Sequence, residues 1–170
     1  MRQGWRTVFG GIPARLRAEL PAELRSFRWN YSGIMAKASY GNRLLHYEIW
    51  VRPRLGVVEL GLHFEADALT NARLYGAFRA RSREVKRDLG NDARIEEWDK
   101  GWSRVWQPLP LLKIDDDYAE MIQTRFVDYV RVLEPILRDE LPNDVEWELP
   151  KAKPTHRAAK FTSSRGSRSG

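Results

Sequence analysis

Leu45-His46-Tyr47-Glu48-Ile49-Trp50-Val51 and Val58-Glu59-Leu60-Gly61-Leu62-His63-Phe64 are two runs in which apolar and polar positions alternate. A period of two marks a strand with one side in a core and one side out of it. Arg52-Pro53-Arg54-Leu55 between the runs supplies a turn. Upstream, residues 32–40 alternate in the same way, and Gly41-Asn42 offers a two-residue hairpin turn. The pattern predicts a three-stranded antiparallel meander over residues 32–40, 43–51 and 56–65.

The two turns can be checked against each other. With Gly41-Asn42 at the centre of the first, Ile34 faces Ile49, Ala36 faces Tyr47 and Ala38 faces Leu45. With Pro53-Arg54 at the centre of the second, Ile49 faces Val58, Tyr47 faces Leu60 and Leu45 faces Leu62. Both turns put one apolar set on one face, and a one-residue slip would mix the faces. The other face then holds Lys37, His46, Glu48, Trp50, Glu59, His63 and Glu65. Glu48 is expected opposite Glu59, Lys37 opposite His46, and the two histidines on a diagonal.

Three readings of that polar face stand side by side. Antiparallel sheets commonly keep one wet face, so it can be ordinary solvated surface. It can be a binding surface with Trp50 as aromatic anchor. It can be a metal or acid–base site, since imidazole and carboxylate are ligands for zinc or iron, with His46 and His63 the metal candidates. The pattern alone assigns no metal and no cofactor.

Outside the meander, Ile12, Leu16, Leu20, Leu24 and Phe27 predict a helix over residues 13–27, with Pro13 in its first turn and Pro21 able to split it. Asp67 caps a helix that Gly90 ends, with Leu74, Phe78, Val85 and Leu89 on one side. A second hairpin, residues 94–99 and 102–107, turns at Lys100-Gly101; its tryptophans read as sealing core or edge. Asp115-Asp116-Asp117 opens a long helix whose apolar line is Tyr118, Ile122, Phe126, Tyr129, Leu133 and Leu137. Pro135 should kink it or mark a second start. The order α-βββ-α-ββ-α defines an α+β fold, an antiparallel sheet of about five strands with helices packed on its apolar face. Residues 1–12 are expected as a flexible N-terminus, 13–149 as one domain and 150–170 as a disordered basic tail.

Charge divides along the chain. Residues 1–30 hold six Lys/Arg and two acids, residues 31–150 hold 17 and 21, and residues 151–170 hold six and none. The body is therefore mildly acidic, which argues against a basic face tracking phosphates. Lys151, Lys153, Arg157, Lys160, Arg165 and Arg168 in the tail are the candidates for nucleic-acid contact. No apolar run approaches a membrane span, so no membrane partner is expected. The start lacks a secretory pattern, and a cytoplasmic protein is the expectation. With no cysteine, disulfides, thiolate metal sites and cysteine nucleophiles are excluded. Glycine-rich phosphate loops, His-Glu-x-x-His and Gly-x-Ser-x-Gly are absent. The one Glu-x-Lys, Glu84-Val85-Lys86, falls in a predicted helix, which argues against a metal-dependent nuclease core.

The strand Val58-Glu59-Leu60-Gly61-Leu62-His63-Phe64, the helix start Asn71-Ala72-Arg73-Leu74-Tyr75, the helix end at Glu84 and Leu89-Gly90, the pair Glu97-Trp98 and the long helix from Asp115 form a pattern. Through it, residues 27–140 resemble a bacterial family of uncharacterised small domains that is also found appended to restriction-endonuclease-like proteins. The resemblance implies a DNA-related accessory role and maps no catalytic residue.

The leading expectation is a soluble, non-enzymatic binding or accessory module whose partner is another protein, with nucleic acid reached through the tail. An exposed edge strand could also pair two copies into an oligomer. The alternative is a metal-dependent or acid–base enzyme using His46, Glu48, Glu59 and His63.

Overall fold

Residues 2–141 are described by the computed structural model, with side chains from residue 4 onward. In chain order they form α1 (Arg2–Glu19), β1 (Arg28–Ser32), β2 (Met35–Ser39), β3 (Leu45–Arg52), β4 (Val57–Phe64), α2 (Ala68–Ala80), α3 (Ser82–Leu89), β5 (Arg94–Glu97), β6 (Ser103–Pro110) and α4 (Asp116–Glu140). The fold is α+β. Among these residues there is one six-stranded antiparallel sheet in the order β1-β2-β3-β4-β6-β5.

The sheet has one strand more than the expected five. Gly33 (φ +60°) and Ile34 form a two-residue turn, and β1 folds back on β2 with Ser32 across from Met35. That turn lay inside the segment read as a single strand.

The registers also differ from expectation, and both differ by two residues. Ala36 pairs Ile49 and Ala38 pairs Tyr47; Ile49 pairs Leu60 and Tyr47 pairs Leu62. The cause is turn length. The β2–β3 loop takes Tyr40–Leu44, with the Asn42 side-chain oxygen accepting from the Leu44 amide at 2.9 Å. The β3–β4 turn is a 3-10 turn, Pro53–Leu55, closed by Gly56 in the left-handed region (φ +66°). Each turn is centred one residue later than a two-residue hairpin would be. A two-residue shift keeps every side chain on its expected face and changes only its partner.

The helices pack on the face that carries Tyr47, Ile49, Leu60 and Leu62. α1 begins at Arg2 where the expectation began at Pro13. Trp5, Val8, Phe9, Ile12 and Leu16 recur at helical spacing and are all buried, so the segment expected as a flexible lead forms the first turns of a core helix. Gly11 lets α1 approach α4, because a Cβ there would run into the Gln123 amide, whose Nε2 donates to the Val8 carbonyl at 2.9 Å. The helix expected from Asp67 to Leu89 is broken at Arg81 into α2 and α3; Asp67 caps the first by accepting from the Leu69 and Thr70 amides. α4 runs through Pro135 without a second start. Phe126 of α4 meets Trp29 and Tyr47 edge to face, and Phe78 of α2 packs on Phe64. One carboxyl lies within this apolar layer. Glu134 accepts from the Tyr47 hydroxyl at 2.9 Å and from Arg138 Nε at 3.0 Å.

Candidate functional site

No helix among the described residues covers the opposite face of the sheet. Alternation sends Lys37, His46, Glu48, Trp50, Arg52, Glu59, His63, Glu65, Arg104 and Trp106 to it. All seven residues expected on that face are there. The two-residue shift rearranges their neighbours: Lys37 pairs Glu48, His46 pairs His63 directly, Trp50 pairs Glu59, and Glu48 lies opposite Gly61. The expected Glu48–Glu59 opposition and the histidine diagonal are thereby corrected.

One half of the face is an imidazole–carboxylate cluster. His46 Nδ1 donates to the Arg43 carbonyl at 3.0 Å, which leaves Nε2 as an acceptor facing the Lys37 ammonium at 3.0 Å. That ammonium also pairs with Glu48 at 2.8 Å. The His46 and His63 rings stack with centroids 5.5 Å apart and planes 9° from parallel, and Trp98 meets His63 edge to face. Glu65 Oε1 lies 3.7 Å from His63 Nδ1, which is buried without a hydrogen-bond partner. His46, Glu48 and His63 are buried although none of the described helices lies over them.

The cluster shifts its own ionisations. Burial alone would raise the Glu48 carboxyl, but His46, His63 and Lys37 outweigh it and bring it down to about 2. Burial lowers the His63 imidazole from its ordinary value, against the opposing pull of Glu65 and Glu48. Glu65 is also lowered: burial opposes this, and contact with His63 and the nearby His46 and Lys37 prevail.

The other half is a set of guanidinium–indole stacks. Arg52 lies over Trp50 at 4.0 Å, and Arg104 lies between Trp106 at 3.8 Å and Trp98 at 4.5 Å. Glu59 joins the two arginines, accepting from Arg52 and Arg104 at 3.0 and 3.1 Å, and Glu96 accepts from Arg104 at 2.7 Å. Gly61, directly across from Trp106, leaves room for the Trp106 Cα and Cβ and the Val105 carbonyl to come close.

Arg52, Glu96, Arg104 and Trp106 were not singled out from sequence. The alternation Arg104-x-Trp106 puts Arg104 and Trp106 on one side of their strand, and the pairing of β6 with β4 makes that side the polar face, where Trp106 is buried across from Gly61. The tail candidates Lys151, Lys153, Arg157, Lys160, Arg165 and Arg168 lie outside the described residues. No helix among the described residues is long and apolar enough to cross a membrane.

Comparison with known proteins gives no relative: no protein-family model, no curated protein and no solved structure matches the chain. The resemblance noted in the sequence gains no support from that side.

Proposed function

We propose that the protein is a cytoplasmic, non-enzymatic binding module that receives a protein partner on its helix-free sheet face. The observation that carries this reading is the row of indole–guanidinium stacks, Trp50 with Arg52 and Arg104 with Trp98 and Trp106. Tryptophan and arginine are the residues in which interface energy concentrates. Charge on the face favours a protein over a nucleic acid. Glu48 pairs with Lys37, while Glu59 and Glu96 pair with Arg52 and Arg104, so the cations beside the indole stacks are each matched by a carboxylate and form no basic stripe to follow phosphates.

Crosslinking in cells that express the full chain, read by mass spectrometry, tests this. Trp50→Ala with Trp98→Ala is expected to abolish a crosslinked partner that Arg83→Ala, on the far side in α3, retains. A partner equally retained by the double tryptophan variant overturns the reading. Contact of the tail with nucleic acid is a separate proposal, resting on its six cations and no acid. Comparing the full chain with residues 1–150 at several salt concentrations checks it, because loss of phosphate contacts must lower both affinity and salt slope. Equal affinity and slope overturn it.

A further inference from the structure

The geometry points to a zinc-class divalent metal site formed by His46 Nε2, His63 Nδ1 and Glu65 on adjacent strands of the helix-free face. His63 is directly across from His46. Glu65 follows β4 by one residue with its amide donating to the Leu44 carbonyl at 2.8 Å, so the extended pairing carries its side chain to the same face as His63. Cross-strand partners have Cβ atoms about 4.5–5.5 Å apart, within chelating reach of two imidazoles. One imidazole nitrogen of each histidine and one Glu65 carboxylate oxygen all lie within 4.8 Å of one another.

Two features point to a ligand beyond mere proximity. His63 is 2% exposed, and its Nδ1 is buried with no hydrogen-bond partner. The carboxylate beside it, at 3.7 Å, is too far for a hydrogen bond. A cation held between nitrogen and carboxylate would satisfy both. His46, in turn, is oriented as metal-bound histidines are, with one ring nitrogen donating to a backbone carbonyl and the other left as a lone pair. That lone pair already faces a cation, the Lys37 ammonium.

Lys37 therefore acts as an internal competitor. Its side chain is 32% exposed and also paired with Glu48, so it can withdraw from His46 without losing a counter-ion. It lines a pocket of about 480 Å³ with Arg28, Asn30, Ser39, Arg43 and His46, which gives it room to move. The positive charge around that pocket opposes a divalent ion, so removing the lysine charge should strengthen binding. One imidazole must also turn out of the stacked arrangement for both lone pairs to converge, and the histidine χ2 torsion is broad enough to allow it. Two nitrogens and one carboxylate oxygen suit Zn²⁺ over Mg²⁺ or Ca²⁺, with a fourth position left for water.

Calorimetric titration of Zn²⁺ into the full chain, purified without a histidine tag and stripped with chelator, tests the site. One equivalent is expected to bind, with affinity reduced at least a hundredfold by His63→Ala and unchanged by His156→Ala. Lys37→Met is expected to tighten binding severalfold, a gain that a misfolded variant cannot imitate. Co²⁺ in place of Zn²⁺ should give a tetrahedral absorption spectrum that His63→Ala abolishes. Absence of one-equivalent binding in both wild type and Lys37→Met, binding that survives His63→Ala, or failure of Lys37→Met to tighten it overturns the proposal.

Discussion

His46 and His63 face each other across β3 and β4 with their rings nearly parallel. Directly opposed residues have Cα atoms about 4.5–5.5 Å apart, within disulfide range. The chain has no cysteine, so an engineered pair is free of competing thiols. His46→Cys with His63→Cys should form a disulfide in air. Glu48→Cys with Glu59→Cys, the pairing of the register two residues away, sits on a diagonal about 7–8 Å apart and should remain reduced. Thiol titration after oxidation distinguishes them, and the opposite result would overturn the observed register.

Gly61 is expected to be intolerant of any side chain. A Cβ there would sit 2.5 Å from the Trp106 Cβ and 2.6 Å from the Val105 carbonyl oxygen, and the latter is backbone that cannot turn aside. Gly61→Ala should cost about 1–3 kcal/mol through overpacking. Urea denaturation measures it; a loss below about 0.5 kcal/mol, the range of a neutral surface change, would show that the sheet relaxes at no cost.

The faces of the sheet were legible in the sequence and the partners were not. Alternation from Leu45 to Phe64 fixes which side each residue takes, and an even register shift leaves that assignment untouched. Partner choice depends on turn length. Gly41-Asn42 and Pro53-Arg54 read as tight two-residue turns, whereas Asn42 caps a longer loop and Gly56 closes a 3-10 turn. The His46–His63 stack was therefore invisible, although both residues were already on one face. Arg104 and Trp106 were missed because their relevance comes from β6 pairing β4, a non-local contact that periodicity cannot report. In the same way, the role of Trp5, Val8 and Phe9 depends on α4, more than a hundred residues later.

Arg104 should not be replaceable by lysine. Its planar guanidinium lies between Trp98 and Trp106 and donates to both Glu59 and Glu96, a geometry an ammonium cannot reproduce. Arg104→Lys should cost about 2 kcal/mol, mainly because Glu59 and Glu96 lose charge-assisted bonds. Tryptophan emission should shift as the indoles lose their cover. A double-mutant cycle with Glu59→Gln should return a coupling of about 1 kcal/mol or more. Additive effects in that cycle would mean that the pair adds no stability.

Glu134 should make stability fall as pH rises from the acid side. Burial among apolar groups raises its pKa, and the hydrogen bonds from Arg138 and Tyr47 offset this only in part. A carboxyl whose folded pKa is raised binds its proton more tightly in the native chain than in the unfolded one. Its contribution is thus fully present below the unfolded value of about 4.3 and is lost as pH climbs through the higher folded value. Other carboxyls titrate in the same range, so the useful quantity is the difference from Glu134→Gln. Glutamine keeps an oxygen for the Tyr47 hydroxyl and does not ionise. Urea denaturation from pH 4 to pH 8 should show wild type losing stability relative to Glu134→Gln as pH rises. A difference that is flat, or that runs the other way, would mean that Arg138 fully compensates the buried charge.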